Sequence, residues 1–183
     1  MVMNITSSQK FPKAKSSSFT LVELLVVISI IGLLAGLGLP AINGAIKAGK
    51  KAEVAAMAES IKTAVNAFYA EYSSYPSNSG TTDKDFLQLM TTTNSTGVCI
   101  QNTRGVAFLE VPPKFTNTSG IVTPRGLYNG GRQSNFFILI DTQGLGYVNP
   151  KSVSSVTNTT VASSVAVWVV DPTTNTKAVG TFK

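Results

Sequence analysis

The sequence predicts an α+β protein in which one long N-terminal α-helix packs against a small C-terminal antiparallel β-sheet. A long apolar run and the amphipathic helical pattern after it predict the helix. Short runs rich in Val, Ile, Phe, Tyr and Trp, broken by Gly, Asn and Pro, predict the sheet. We divide the 183 residues into a basic leader (1–18), an apolar membrane-spanning helix (19–42), an amphipathic helix (43–75) and a globular α+β head (76–183).

The positive charge of the chain is concentrated on both sides of the apolar run. Only 13% of the residues are charged, and the formal net charge is +6. Three lysines come before the run and three follow it: Lys10, Lys13 and Lys15, then Lys47, Lys50 and Lys51. A nucleic-acid-binding surface more often interleaves basic with aromatic residues on a folded domain. The arrangement therefore favours a membrane as partner and no nucleic acid.

The apolar run has the length of a membrane span. Between Phe19 and Ile42 the only ionisable residue is Glu23. As a helix, 19–39 would extend about 30 Å, the thickness of a bilayer hydrocarbon core. The basic leader predicts a cytoplasmic N-terminus and a head outside the cytoplasm, which is the periplasm in a diderm bacterium. The lysines after the run oppose this orientation. A secretory signal peptide and an uncleaved anchor are the alternatives, although a signal peptide's apolar region is shorter, at about 7–15 residues.

The segment "SFTLVELLVVISIIGLLAGLGLPAI" (18–42) closely resembles the N-terminal signature of type IV prepilins and type II secretion pseudopilins. The resemblance implies a pilin fold and a prepilin peptidase that cuts between Ser18 and Phe19 and methylates the new amine of Phe19. It further implies three partners, an inner-membrane assembly platform, a homo-oligomeric fibre with 19–42 in its core, and other pseudopilins. Ser18 departs from the family, which normally has Gly before the cut, and this departure predicts slower processing.

The resemblance gives Glu23 a role in assembly. An ionised side chain at the centre of a bilayer costs about 2.5–3.5 kcal/mol on insertion scales, so it needs a partner. Glu23 lies only one helical turn from the membrane edge, which lowers that cost. In the family, this Glu pairs with the N-terminal amine of a neighbouring subunit. Two unit charges 4 Å apart attract by about 4 kcal/mol at an effective dielectric constant near 20, before desolvation. Pairing can therefore offset the burial cost and fix the axial register of subunits. In a plain anchor, Glu23 would instead reach the headgroups.

Pro40 lies inside the predicted helix. A proline at such a position removes a backbone hydrogen bond and clashes with the preceding turn, so we expect a kink or local melting. Gly36, Gly38, Asn43 and Gly44 weaken the same stretch. The resemblance implies that this proline marks a bendable part of the helix that aids assembly.

The helix then becomes amphipathic. Six apolar residues at spacings of three or four predict a buried stripe on one face: Val54, Met57, Ile61, Val65, Phe68 and Tyr72. We expect the helix to end near Ser73 or Ser74, ahead of Pro76, and the sheet to pack against the stripe.

The head is predicted to hold one short helix and three or four strands. Thr81 or Thr82 is the predicted N-cap of the helix, with Asp83 and Asp85 as first-turn charges and not as a catalytic or metal-binding pair. The candidate strands cover 105–111, 135–141, 146–149 and 161–170. The short link 142–145 predicts that the second and third strands form an antiparallel hairpin.

The head offers little for catalysis or for a metal. The chain has no His, which excludes the usual triads and ordinary zinc sites, so we predict a protein without enzymatic activity. The stretches "FFILIDTQGLGYVN" and "VAVWVVDP" are similar to the C-terminal hairpin and final strand of major pseudopilins, which often bind calcium there. Only Asp141 and Asp171 could serve as carboxylate ligands, whereas calcium takes about six to eight oxygens. We expect no metal and no cofactor.

These residues favour a structural subunit of a type II secretion pseudopilus. The pseudopilin-like hairpin and the single cysteine, Cys99, support this choice, because many type IVa pilins close the head with a disulfide. Cys99 alone cannot form an internal disulfide and is expected as a small buried side chain. A type IV pilin of a surface fibre and a membrane-anchored binding module without enzymatic activity are the alternatives.

Overall fold

The computed structural model describes residues 19–77, 79–92 and 101–182, so Ser18 and Cys99 lie outside the described residues. The chain forms two compact units, Met1–Asn43 and Gly44–Lys183. Helix α1 (Leu21–Tyr72) begins in the first unit and ends in the second. The predicted α+β class, with a long N-terminal helix and small antiparallel sheets, is confirmed.

The part of α1 in the first unit is apolar and uncovered. Its large side chains are exposed, from Leu21 at 79% to Leu37 at 72%. By length and composition α1 could cross a membrane, and its candidate span has a mean hydropathy of 2.5. The backbone is helical at Pro40, but the side chains of 38–41 are outside the description. The kink at Pro40 stays a prediction.

The predicted stripe of α1 lies in the core of the second unit. Val54, Ile61 and Val65 are fully buried, and Phe68 is nearly so. Ala58 and Ala64, which lie beside the stripe, are also buried and belong to the same cluster. The helix ends at Tyr72, followed by Ser73 in the left-handed region with φ of 52°.

Helix α2 (Lys84–Thr91) forms where the sequence predicts it, but its N-cap is Asp83 and not Thr81 or Thr82. The Asp83 carboxylate accepts a hydrogen bond from the Phe86 N–H at 2.9 Å. The buried Thr82 hydroxyl instead donates to the Ile121 carbonyl at 2.8 Å. Since that hydroxyl already serves a distant segment, the next residue takes the cap. Asp85 stands in the first turn as predicted.

The main sheet has three antiparallel strands in chain order: β3 (Phe137–Ile140), β4 (Val165–Val170) and β5 (Ala178–Gly180). A separate ribbon consists of β1 (Thr116–Asn117) and β2 (Gly120–Ile121). The predicted strands 135–141 and 161–170 correspond to β3 and β4. Neither the β1–β2 ribbon nor β5 was predicted.

Two strand predictions are wrong. Segment 105–111 is not a strand; its Phe108 and Leu109 N–H groups both donate to the Met90 carbonyl. The hairpin expected through 142–145 does not form, since β3 pairs with β4 in a register that places Phe137 opposite Trp168. From 146–149 only an isolated bridge between Val148 and Val161 remains. The segment 141–164 between the paired strands is thus a long loop.

This loop covers the outer face of the sheet, the face turned away from α1, and creates a second core. Trp168 is fully buried there, with ring centroids 5.6 Å from Phe137 and 5.3 Å from Phe182. Val148 and Val156 close the cluster, and the Trp168 indole N–H donates to the Ser154 hydroxyl at 3.2 Å. Strand β4 is therefore buried on both faces, which explains its unbroken apolar sequence "VAVWVV".

Replacing Trp168 tests the weight of this second core. Trp168→Ala should lower the free energy of unfolding by about 3–5 kcal/mol, because it empties a closed apolar site. Urea unfolding of the full chain in detergent micelles, followed by circular dichroism, measures the change. Val153→Ala is the control, since that side chain is 42% exposed. Equal losses in the two variants would contradict the assignment.

Candidate assembly site

The start of α1 is closed by a capping box that involves Glu23. The Glu23 N–H donates to the Thr20 hydroxyl at 3.2 Å, and the Thr20 N–H donates to Oε2 of Glu23 at 2.8 Å. The Thr20 hydroxyl also donates to Oε2, at 2.7 Å. These reciprocal bonds satisfy backbone N–H groups that the first helical turn leaves without partners. In the first unit, therefore, Glu23 already has a structural role within its own chain.

The capping box leaves half of the carboxylate open. Oε1 of Glu23 accepts no hydrogen bond from any residue in the described ranges. The positive end of the helix dipole lies at the same turn and favours the ionised carboxylate. Phe19 precedes the box and is 72% exposed. A carboxylate held in place with one free oxygen can receive a cation from outside the chain.

Sequence reasoning missed the capping box, although its signal is present. The pattern "TLVE" (20–23), a Thr followed three residues later by a Glu, is a known helix-start signature. Of the predicted site residues, Glu23 contacts Thr20, a residue that was not among the predicted site residues. Ser18 is outside the described residues, and nothing described connects Pro40 with Glu23.

The second unit begins with lysines that are bonded to the head. Lys51 Nζ lies 2.8 Å from Oδ2 of Asp171 and 3.3 Å from the Thr173 hydroxyl. Asp171 Oδ1 accepts hydrogen bonds from the Thr173 N–H at 2.8 Å and from its hydroxyl at 2.5 Å. Lys50 Nζ donates to the Gly126 carbonyl at 3.3 Å. These contacts fasten the helix to the loops at the end of β4 and near 126.

The pKa of Asp171 reflects this network. Burial raises the pKa, but the hydrogen bonds from Lys51 and Thr173 outweigh it, so the pKa lies below its usual value near 3.8. The network therefore stabilises the fold above the unfolded-state pKa. This stabilisation declines as the pH falls below that value and is lost once the pH drops through the lower folded-state pKa.

Asp141, the other candidate calcium ligand, organises its own loop. Its Oδ1 accepts from the Leu145 N–H at 3.0 Å and the Gln143 N–H at 3.2 Å, and its Oδ2 accepts from the Gly146 N–H at 2.6 Å. The bond from Leu145 is the main reason that the pKa of Asp141 is lowered. Within the described ranges, no three metal-binding side chains of His, Cys, Asp or Glu come together. The expectation of no metal stays a prediction.

The comparisons with known proteins give one family-model match and several relatives. Residues 13–39 match the family model described as the prokaryotic N-terminal methylation motif. A fimbrial protein of Neisseria meningitidis serogroup A / serotype 4A is 40% identical over 60 residues, which are 33% of this chain and 35% of that protein. The type IV major pilin protein PilE1 of Neisseria gonorrhoeae is 38% identical over 60 residues, 33% of this chain and 36% of that protein. No solved structure matches.

A match to the methylation motif, a helix long and apolar enough to cross a bilayer and an α+β unit make this chain similar to type IV pilins. The resemblance to the type IV prepilin family is thereby confirmed. The aligned part spans about a third of the length of the curated relatives.

Removing the Asp171 carboxylate should produce a pH-dependent loss of stability. Asp171→Asn is expected to lower the free energy of unfolding by about 1–3 kcal/mol at neutral pH, because the buried Asp171 carboxylate loses its charge-assisted hydrogen bonds with Lys51 and Thr173. The difference from the unsubstituted chain should shrink below about pH 4 and vanish below the folded-state pKa. Urea unfolding across a pH series measures it. Glu110→Gln, at an exposed position outside the helices and strands, is the control, and a pH-independent deficit in Asp171→Asn would contradict the expectation.

Proposed function

We propose that this chain is the structural subunit of a helical fibre. A prepilin peptidase cuts it between Ser18 and Phe19 and methylates the amine of Phe19. The apolar helix 19–42 then holds the subunit in the inner membrane, with the head in the periplasm, until an assembly platform moves it into the fibre. The match of 13–39 to the methylation motif carries this proposal, because that segment includes the bond to be cut.

The uncovered apolar surface of the first unit supports both proposed stages, anchoring in the membrane and assembly into a fibre. Its large side chains between 21 and 37 are at least 45% exposed, which is unfavourable in water. Lipid tails would cover them before assembly, and the corresponding helices of neighbouring subunits would cover them afterwards. In a binding module that stays in the membrane, lipid tails alone would cover these side chains.

The capping box supports a specific role for Glu23 in the second stage. Oε2 is bonded to Thr20, and Oε1 is open to the methylated amine of Phe19 in a neighbouring subunit. Because the cap already orders the carboxylate, less conformational entropy is lost when the ion pair forms.

The surface fibre of a type IV pilus is the better-supported of two fibres. The relatives carry the names fimbrial protein and type IV major pilin protein. The hairpin that favoured a type II secretion pseudopilus is not formed, since β3 pairs with β4. The pseudopilus is the second candidate, favoured by the single cysteine, Cys99. In either fibre the chain itself performs no chemistry.

The first experiment is mass spectrometry of the N-terminal peptide of the protein from its native membrane. We expect a mature chain that begins with N-methylated Phe19. A chain that retains Ser18, or one cut beyond Leu39, would overturn the fibre proposal and leave an anchored or secreted binding domain. Shearing the cells and locating the chain in long surface fibres or in the cell envelope then separates the pilus from the pseudopilus.

Glu23→Gln separates the charge from the cap. A glutamine carbonyl can accept the same hydrogen bonds from Thr20, but it cannot pair with an amine as an anion. We expect normal cleavage and membrane insertion, with incorporation into fibres reduced tenfold or more, because an ion pair of about 4 kcal/mol before desolvation is lost. Quantifying the subunit in sheared fibres against the membrane pool measures this.

Ser29→Ala is the matched control for Glu23→Gln. It removes a polar group from the same apolar helix, where the Ser29 hydroxyl only donates to the Leu25 carbonyl at 2.7 Å. Wild-type incorporation of Glu23→Gln would exclude the ion pair as the assembly contact.

A further inference from the structure

A shallow groove on the second unit carries more positive than negative charge. Its charged lining residues are Lys50, Glu53, Lys114 and Arg125, and polar side chains such as Asn117 and Gln133 complete it. We call it the basic groove. Its volume is about 600 Å³, and no aromatic side chain of the described residues lines it. Three cations against one carboxylate give the groove a net charge of +2.

The cations of the basic groove are only partly neutralised by the protein. Lys114 Nζ lies 3.1 Å from the Glu53 carboxylate, but both side chains are about half exposed, so the pair is weak. Lys50 contacts only an uncharged carbonyl, that of Gly126. Arg125 is exposed and makes no hydrogen bond or ion pair with any other described residue.

The backbone supports this presentation of Arg125. The turn continues into Gly126 with φ of +82°, a conformation that side chains disfavour, and the Gly126 carbonyl holds Lys50. The two cations are therefore placed on one rim by a turn that needs its glycine. Such an arrangement suits a ligand with several anionic oxygens, because the Arg guanidinium can bind phosphate through two parallel N–H groups.

The position of the groove along the chain indicates where its ligand comes from. Lys50 follows the last apolar residue of the membrane-length run, Ile42, by only eight residues, and the exposed Lys47 lies between them. The carboxylates Glu59 and Glu71 come later in α1. In a chain anchored through 19–42, connectivity keeps Lys50 near the bilayer surface, whereas the later acidic residues can lie farther away.

We infer that the basic groove binds the phosphate headgroups of anionic phospholipids in the membrane that anchors the chain. This inference rests on the membrane-anchored stage of the proposed function. A cation close to an anionic bilayer strengthens binding about fivefold, and the effect fades beyond a Debye length of about 8 Å at physiological salt. Single-stranded nucleic acid is disfavoured, because its binding sites add aromatic stacking surfaces that this groove lacks.

Hydrogen exchange of the full chain in lipid nanodiscs tests the inference. The chain is inserted into discs of phosphatidylcholine alone or with added phosphatidylglycerol, and exchange is followed by mass spectrometry in peptides covering 112–126. We expect slower exchange of these amides in the anionic discs, and loss of the difference at high salt. Lys114→Gln together with Arg125→Gln should weaken headgroup binding about 25-fold and remove the difference.

Lys84→Gln together with Lys151→Gln is the matched control, because it removes two exposed cations that do not line the groove. This control should keep the lipid-dependent slowing. Equal exchange in both kinds of disc, or a control that behaves like the groove variant, would overturn the inference and leave anchoring intact. Slowing by short DNA but not by phosphatidylglycerol would also overturn it. A chain that fails to co-elute with the discs would instead overturn the proposed anchoring.

Discussion

The second unit depends on one packing constraint, the burial of the α1 stripe against the inner face of the main sheet. Val54, Ile61 and Val65 have no exposed surface, and they share one cluster with Ile138 of β3 and Val167 of β4. Each such side chain contributes about 1.5–3 kcal/mol when it is fully buried. The apolar face of the three-stranded sheet has to be covered, and the α1 stripe covers it. The loops that bear Asp171 and Arg125 are in turn positioned by that sheet and helix.

The same packing explains the lysines that oppose the predicted membrane orientation. Cationic residues after a membrane span normally favour the cytoplasmic side. Lys51 is bonded to Asp171, and Lys50 is bonded to the Gly126 carbonyl. Both lysines thus have a structural reason to be present that does not depend on which side of a membrane the head lies. Their charge needs no topological signal to account for it, and of the three lysines that follow the apolar run only Lys47 is exposed without a partner among the described residues.

The sequence predicted those parts of the fold that depend on local periodicity. The stripe of α1, the existence of α2 and the strands β3 and β4 follow from apolar spacing or from apolar runs. Long-range contacts decided the rest. Thr82 could not serve as N-cap, because its hydroxyl is bonded to the Ile121 carbonyl. Strand β5 has only three residues, Ala178–Gly180, and so presents no pattern to detect.

The wrong hairpin has a local cause that sequence alone could have indicated. The length of 142–145 suits a hairpin turn. However, the Asp141 carboxylate accepts hydrogen bonds from the N–H groups of Leu145 and Gly146, so 141–146 forms a closed local loop and not a turn between two paired strands. The chain is then free to cross the outer face of the sheet, where Val156 and Trp168 form the second core. An Asp with two Gly residues within the next five positions, here Gly144 and Gly146, is typical of such a loop. At the N-terminus, the capping pattern of Thr20 and Glu23 was equally visible, whereas the open Oε1 required the structure.

The direction of the proposed assembly depends on polar groups more than on the apolar helix. Lipid tails are about as apolar as the side chains of neighbouring helices, so moving 19–42 from the bilayer into a fibre changes its apolar burial little. Larger differences arise where charges exchange partners. Leaving the membrane would remove headgroup contacts from the basic groove, and entering the fibre would give the open oxygen of Glu23 an amine. Two small electrostatic sites, one on each unit, can therefore decide between the membrane-bound and the fibre-bound subunit, because the much larger apolar surface favours neither state strongly.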